Sequence, residues 1–311
     1  MKILIELPTW LGDTVMATPA IENLINNFQE VELTFIGSYV ALEIMKNHPK
    51  VVDSKLLNRD YFSQFNVARN IGKFNYYFSF RSSFRSKIFK FFINSEMKYQ
   101  FRRNKYHNSH QVEKYNNFIN DSLKINSNPG KLNIYLSTNS SEEFVTRNLL
   151  LGINPGASYG QAKRWYPDKF AEVILELSSK YDVVILGGVN ELEIANDIEK
   201  ILIEHKVINY KNLAGRTTIA ELKSIISSLD LLITGDSGPM HLAASFQVPT
   251  VSIFGPTKVN ETSQWKNDKS IVVKKNLSCQ PCMKRKCPLK HHHCMSKIKV
   301  KDVIDAAISV T

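Results

Sequence analysis

No apolar run in the 311 residues approaches the roughly 20 that a membrane-spanning helix needs, so a helical span is excluded. The start, Met1-Lys2-Ile3-Leu4-Ile5-Glu6-Leu7-Pro8, lacks a signal-peptide core because Glu6 and Pro8 interrupt it, and a cytoplasmic protein is expected. No Gly-Lys-Ser/Thr closes a Walker A loop. No Asp-x-Asp occurs either, so the carboxylate pair that often holds a divalent ion in sugar-nucleotide enzymes is missing. There is no repeat of 20–50 residues and no segment of disordered composition. Cysteine is absent from all but one short segment, 279–294.

What remains is an ordinary globular composition, 43% hydrophobic and 22% charged, with room for about two domains of roughly 100–200 residues. The formal charge of +11 is concentrated. Residues 81–105 carry eight cations against one acid, Glu96, and residues 269–301 carry ten with none. Such stretches attract nucleic acid, anionic membrane surfaces or phosphorylated substrates, or simply form a solvated face.

Strand-like and helix-like segments alternate through both halves. In the first, strands are predicted at 2–7, 32–37 and 75–80, and helices at 13–27, 41–45 and 83–93, the last basic and amphipathic. Turn chemistry at Asn126-Ser127-Asn128-Pro129-Gly130 opens a linker region, and the domain boundary is placed near 137–148. In the second half, strands are predicted at 149–154, 183–186, 231–234 and 250–254. Helices are predicted at 167–180, 191–204, 219–228, 239–246 and 301–309. This βα alternation implies an α/β protein with parallel sheets covered on both faces.

Two turns stand where a buried strand ends and a helix begins: Gly12-Asp13, and Gly235-Asp236-Ser237-Gly238. Ligands of open α/β sheets bind at such places, because helix N-termini and free backbone N–H groups converge there. Two of them suggest two α/β domains facing each other across a cleft. A third loop, Pro155-Gly156-Ala157-Ser158-Tyr159-Gly160-Gln161-Ala162-Lys163-Arg164-Trp165, joins glycines, a hydroxyl and cations, which suits phosphate or a tight turn with surface cations. Asp236 and Ser237 either cap the helix that follows or leave its N–H groups to a pyrophosphate, and Pro239 fits its first turn. His241 is read as a buried histidine or a site residue. Phe254-Gly255-Pro256-Thr257 adds another strand-end loop. Glu191 and Glu193 follow Leu186-Gly187-Gly188, where a carboxylate accepts hydrogen bonds from ribose hydroxyls or sits as an N-terminal helix acid. Without an Asp-x-Asp, pyrophosphate charge falls to helix dipoles, Lys163 and loop hydroxyls.

The cysteines are spaced Cys279-x2-Cys282-x4-Cys287-x6-Cys294, with His291, His292 and His293 among them. In a reducing compartment they stay thiols. Four clustered thiols suit a structural zinc, yet the spacing is not that of paired Cys-x-x-Cys knuckles.

Taken in order, Pro8-Thr9-Trp10-Leu11-Gly12-Asp13, the 155–165 loop, Asn212-Leu213-Ala214-Gly215-Arg216-Thr217 and Asp236-Ser237-Gly238-Pro239-Met240-His241 resemble the ADP-heptose:lipopolysaccharide heptosyltransferases, most of all their type II members. The match spans nearly the whole chain and thins between 55 and 128. The resemblance implies a GT-B fold of two Rossmann-like domains: residues 1–140 for the acceptor, and 141–311 for the ADP-sugar donor, including the Cys-rich segment and a C-terminal helix. It implies inverting, metal-independent transfer of L-glycero-D-manno-heptose from ADP-heptose to the first heptose of the inner core, with no cofactor required. In it Asp13 acts as general base on the acceptor hydroxyl, although an N-cap role alone is the competing reading. Lys163 eases departure of ADP, and Ser158, Tyr159, Gly160, Glu191, Glu193 and Asp236, Ser237, Gly238, Pro239, Met240 and His241 hold the donor. On the acceptor side Gly12, Arg81, Arg85, Arg102 and His110 meet the carboxylates or phosphates of a heptosyl-Kdo-lipid A. The cysteine-rich tail accords with the type II members without fixing a metal. The implied location is the cytoplasmic face of the inner membrane, peripherally, with no nucleic acid partner. A related transferase of the same superfamily with a different sugar nucleotide or acceptor is one alternative. A basic, cysteine-rich nucleic-acid-binding protein is another, and it leaves Asp13, Lys163 and Asp236 without a role.

Overall fold

The computed structural model describes residues 1–137 and 148–311. It divides into two compact units, Met1–Ser137 and Thr138–Thr311. The boundary expected at 137–148 falls, apart from its end residues, outside the described residues.

The first unit holds strands β1 (Lys2–Glu6), β2 (Glu32–Gly37), β3 (Val51–Leu56), β4 (Phe74–Ser79) and β5 (Ser95–Gln100). They form one parallel sheet in the order β3-β2-β1-β4-β5. The central β1 buries Ile3, Leu4 and Ile5, and Glu6 at its end, as a strand covered on both faces does. The edge strand β3, Val-Val-Asp-Ser-Lys-Leu, is mostly exposed and carries no such signal. Helix Leu11–Asn26 follows β1 and contains Pro19, whose missing N–H deprives the Val15 carbonyl of its helical donor. The Thr18 hydroxyl donates to that carbonyl at 2.8 Å instead.

The helix start differs from the sequence reading. Trp10 occupies the N-cap position without a side-chain bond, and Asp13 lies inside the first turn. There its charge meets the positive end of the helix dipole rather than capping an N–H.

The second unit holds β6 (Leu149–Asn154), β7 (Tyr181–Ile185), β8 (Tyr210–Asn212), β9 (Leu231–Gly235), β10 (Thr250–Phe254) and β11 (Ser270–Lys274). All pair in parallel, in the order β11-β10-β9-β6-β7-β8. Counted within the unit this is the dinucleotide-fold order 3-2-1-4-5-6, whose direction reverses between β6 and β9. In the first unit the reversal falls between β1 and β4. The core of the second unit is apolar throughout, with Trp165 edge-on to Phe170 at 5.0 Å and helix Val300–Val310 closing it through Val303 and Ala307. Two parallel-sheet α/β domains are thus present, as expected.

Candidate active site

In the second unit the two strands at the reversal point are pinned together at their ends. Asn154, the last residue of β6, donates to Thr234 Oγ1 at 3.1 Å and to Ser237 Oγ at 3.0 Å. The helix after β9 spans Gly238–Ser245, with Pro239 in its first turn. Its N-cap residue is Ser237, which makes no capping bond because its hydroxyl is turned to Asn154 and Thr234. Asp236 is therefore not the cap. Its carboxylate pairs with Lys163, Nζ to Oδ2 2.6 Å, and accepts from Thr257 Oγ1 at 2.6 Å. Lys163 Nζ also donates to the Asp236 carbonyl at 3.3 Å. The pair is sunk into the fold, its side chains 12% and 5% exposed.

Around this pair the loop after β6 and the Cys-rich segment interlock. Lys163 Nζ lies 4.7 Å from the Tyr159 ring centre, and the Arg285 guanidinium lies 5.5 Å from the same ring. Tyr159 Oη donates to the Met283 carbonyl at 2.7 Å, and Ala162 N donates to the Arg285 carbonyl at 3.0 Å. Gly160 has φ +153°, and a Cβ there would fall 2.6 Å from that carbonyl, so only glycine lets the segment approach. Ser158 is exposed beside them. Cations from two segments thus flank one aromatic ring at the ends of β6 and β9, an arrangement that suits a polyanion.

Glu191 and Glu193, equivalent in sequence, part ways. Glu191 is buried, accepts from Gly188 N at 2.8 Å, and lies so close to Gly156 that a Cβ there would meet its Cδ at 2.1 Å. Glu193 is exposed in the first turn of helix Leu192–Glu204. Only Glu191 stands at the strand ends. Met240 and His241 are both buried in helix Gly238–Ser245.

In the first unit, Gly12 and Asp13 follow β1 and Arg81 follows β4, its reversal-point neighbour. Arg81 is held from within: Nε donates to the Leu7 carbonyl at 2.9 Å, and Nη1 lies 3.6 Å from Glu6. Glu6, fully buried at the end of β1, accepts from Tyr77 Oη at 2.7 Å, Ser79 Oγ at 2.5 Å and Ser86 Oγ at 2.8 Å. Asp13 stands near the hydroxyl of buried Tyr115, which burial first, and then the Asp13 charge, hold well above the usual phenol range. Gln111 bonds that hydroxyl, and the charges of Arg103 and Arg81 act on it in the opposite sense.

The other acceptor candidates stand in different settings, with Gln100 Nε2, just before Arg102, donating to the Arg81 carbonyl at 3.2 Å. Arg102 is exposed just beyond β5. Arg85 stacks over Tyr61 at 5.5 Å. His110 is buried as the N-cap of helix Gln111–Leu123: its Nδ1 accepts from Val112 N at 3.2 Å while its own N–H donates to Glu113 at 2.8 Å. Capping explains its burial. Sequence reading missed Thr257, Arg285, Glu6 and Tyr115. Thr257 lay in a loop already singled out and Arg285 in a basic run, whereas Glu6 and Tyr115 gave no local signal.

The four cysteines line one small cavity with His291 and His292. Burial, and then the neighbouring thiols, push Cys294 up to about 11. Among the described residues no group of three His, Cys, Asp or Glu is set as metal ligands. His292 is committed elsewhere, with Nε2 3.0 Å from the Ala162 carbonyl and Nδ1 3.0 Å from Tyr166 Oη.

A family model described as glycosyltransferase family 9 (heptosyltransferase) matches residues 79–293. The lipooligosaccharide heptosyltransferase 2 of Campylobacter jejuni serotype O:2 is 43% identical over 99% of this chain and 97% of its own. Its counterpart of serotype O:6 is 40% identical over 98% of each. The structure of Escherichia coli ADP-heptose LPS heptosyltransferase II superposes with a TM-score of 0.84 at 20% identity, covering 100% of this chain and 98% of that one, a likeness of fold.

Proposed function

This chain belongs to glycosyltransferase family 9, the heptosyltransferases, and on that premise we propose that it moves L-glycero-D-manno-heptose from ADP-heptose to the first heptose of the lipopolysaccharide or lipooligosaccharide inner core. Lipooligosaccharide as the acceptor class follows the name of the Campylobacter relatives, and ADP-heptose follows that of the E. coli structure. The observation that carries the donor side is the Lys163–Asp236 pair at the ends of β6 and β9, backed by Tyr159 and Arg285.

In this reading the second unit binds ADP-heptose. Asp236 and Thr257 hold Lys163 in place, and Lys163, Arg285 and the start of helix Gly238–Ser245 take up the charge that grows on the pyrophosphate. Glu191 accepts from the ribose hydroxyls. The first unit binds the acceptor, with Arg81 fixed by Glu6 and the Leu7 carbonyl, and with Arg102 beyond β5. Asp13 removes the proton from an acceptor hydroxyl, O3, as its oxygen attacks the anomeric carbon. The new C–O bond forms as the bond to the β-phosphate breaks, ADP leaves, and the β-linked donor gives an α-linked product. No step is routed through a metal. The protein would work at the cytoplasmic face of the inner membrane, where the acceptor's lipid A is anchored, as a peripheral enzyme.

A donor and acceptor panel tests the reading. Purified protein should add one heptose from ADP-heptose to heptosyl-Kdo-lipid A, with an α-anomeric signal by NMR, and none to Kdo-lipid A. Equal transfer to Kdo-lipid A, or preference for another sugar nucleotide, would overturn it.

A further inference from the structure

Beyond the acceptor site, the first unit carries a face that the reaction does not use. Helix Tyr61–Asn70 and helix Phe84–Phe92 lie side by side, joined by Phe65 edge-on to Phe92 at 5.0 Å. Both turn aromatic rings to solvent: Phe62 is 77% exposed, Phe84 71% and Phe91 80%. Exposed aromatic rings are informative when they cluster, and here Phe84 and Phe91 share one face of their helix, with Phe62 on the helix packed beside it.

The same face is cationic. Phe84, Lys87 and Phe91 recur at helical spacing on the exposed side of their helix, whereas Ser86 and Phe89 are buried. Lys98 on edge strand β5 donates to the Phe91 carbonyl at 3.4 Å, which brings another ammonium to the patch. Lys90 is held below its usual range by burial first, and then by the charges of Arg102, Lys98 and Lys87. Nearby acids are engaged, Asp60 capping helix Tyr61–Asn70 and Glu96 3.4 Å from Lys73. Exposed aromatics set among cations form an interfacial pattern: the rings enter the headgroup region while the cations meet anionic headgroups.

We propose that the paired helices Tyr61–Asn70 and Phe84–Phe92 are the docking face of this enzyme for an anionic lipid bilayer. The proposal rests on the lipid-borne acceptor of the preceding reading, to which it assigns a specific membrane-facing surface. Among the described residues no helix is long and apolar enough to cross a membrane.

The test is co-sedimentation of the full chain with phosphatidylglycerol-containing vesicles and with pure phosphatidylcholine vesicles. Transfer to detergent-dispersed acceptor is measured in parallel. Binding is expected to the anionic vesicles, weakening with salt. Phe84→Ser with Phe91→Ser should lower it about tenfold or more, and Lys87→Ser about fivefold. Because these side chains are exposed, thermal midpoint and transfer to dispersed acceptor should stay at wild-type values. Wild-type binding by the Phe84→Ser/Phe91→Ser variant, or equal binding to both vesicle types, would overturn the proposal. So would displacement of the protein from vesicles by a nucleic acid oligomer, or a change of oligomeric state in that variant with lipid binding unchanged. Vesicle binding without heptose transfer would instead count against the enzymatic reading alone.

Discussion

Lys163 Nζ lies 2.6 Å from Asp236 Oδ2, an ion pair that ties the loop after β6 to the turn after β9. Two residues nominated independently as donor ligands thus act first on each other. The lysine is aimed by its partner, and the aspartate is held in turn by Thr257. Lys163→Ala should weaken ADP binding about tenfold to a hundredfold. It should also cost about 3–5 kcal/mol of stability, because a buried carboxylate loses its cation. Asp236→Asn should weaken ADP binding in the same sense, and the double variant should lose less than the sum. Calorimetric titration of the four proteins checks this, and strict additivity would show that the pair does not work as one.

Glu191 rather than Glu193 should meet the ribose. Glu191→Gln should weaken ADP several-fold while leaving 2′,3′-dideoxy-ADP unchanged, and Glu193→Gln should change neither. Gly156→Ala should reproduce the Glu191 effect, since its new Cβ would fall 2.1 Å from Glu191 Cδ and displace the carboxylate. The converse pattern in binding assays would reverse the assignment.

His110 tests whether a polar residue near the acceptor candidates is a ligand or a cap. His110→Ala should cost about 1 kcal/mol through loss of the bond to Val112 N. His110→Asn, another capping residue, should restore most of it, with acceptor KM unchanged in both. A stable His110→Asn variant with a tenfold higher acceptor KM would make His110 a ligand after all.

The thiols should differ in reactivity. Cys294 is buried and its pKa is pushed up to about 11, so at pH 8 it is overwhelmingly the neutral, unreactive thiol, and its thiolate fraction rises only as pH approaches that value. Cys279, Cys282 and Cys287 are half-buried. Titration with a thiol reagent at pH 8 should label these three first and Cys294 only on unfolding. Early modification of Cys294, identified by mass spectrometry, would contradict its placement.

The parts of the fold legible in sequence are those that burial writes there. The central strands β1, β2, β4, β6, β7, β9 and β10 are apolar because both sheet faces are covered. The strands left unread, β3, β5, β8 and β11, are the edges of the two sheets. There Val51–Leu56 and Ser95–Gln100 keep polar and charged residues that blur any alternation. The site divides in the same way. The strand-end turns at Asp13 and Asp236 carry glycine and acid signatures in the chain itself. The link between Lys163 and Asp236, the hold of Glu6 on Arg81, and the meeting of Arg285 with Tyr159 join residues far apart in sequence, and only folding brings them together.

Asp13, in the first turn after β1, is the residue to which the proposed reaction assigns the acceptor proton. The most direct measurement is single-turnover heptose transfer by Asp13→Asn, alongside its ADP affinity and thermal midpoint. The rate should fall by about 10²–10⁴-fold, with ADP binding and folding as in the wild type. Wild-type transfer by the folded Asp13→Asn variant would contradict that assignment.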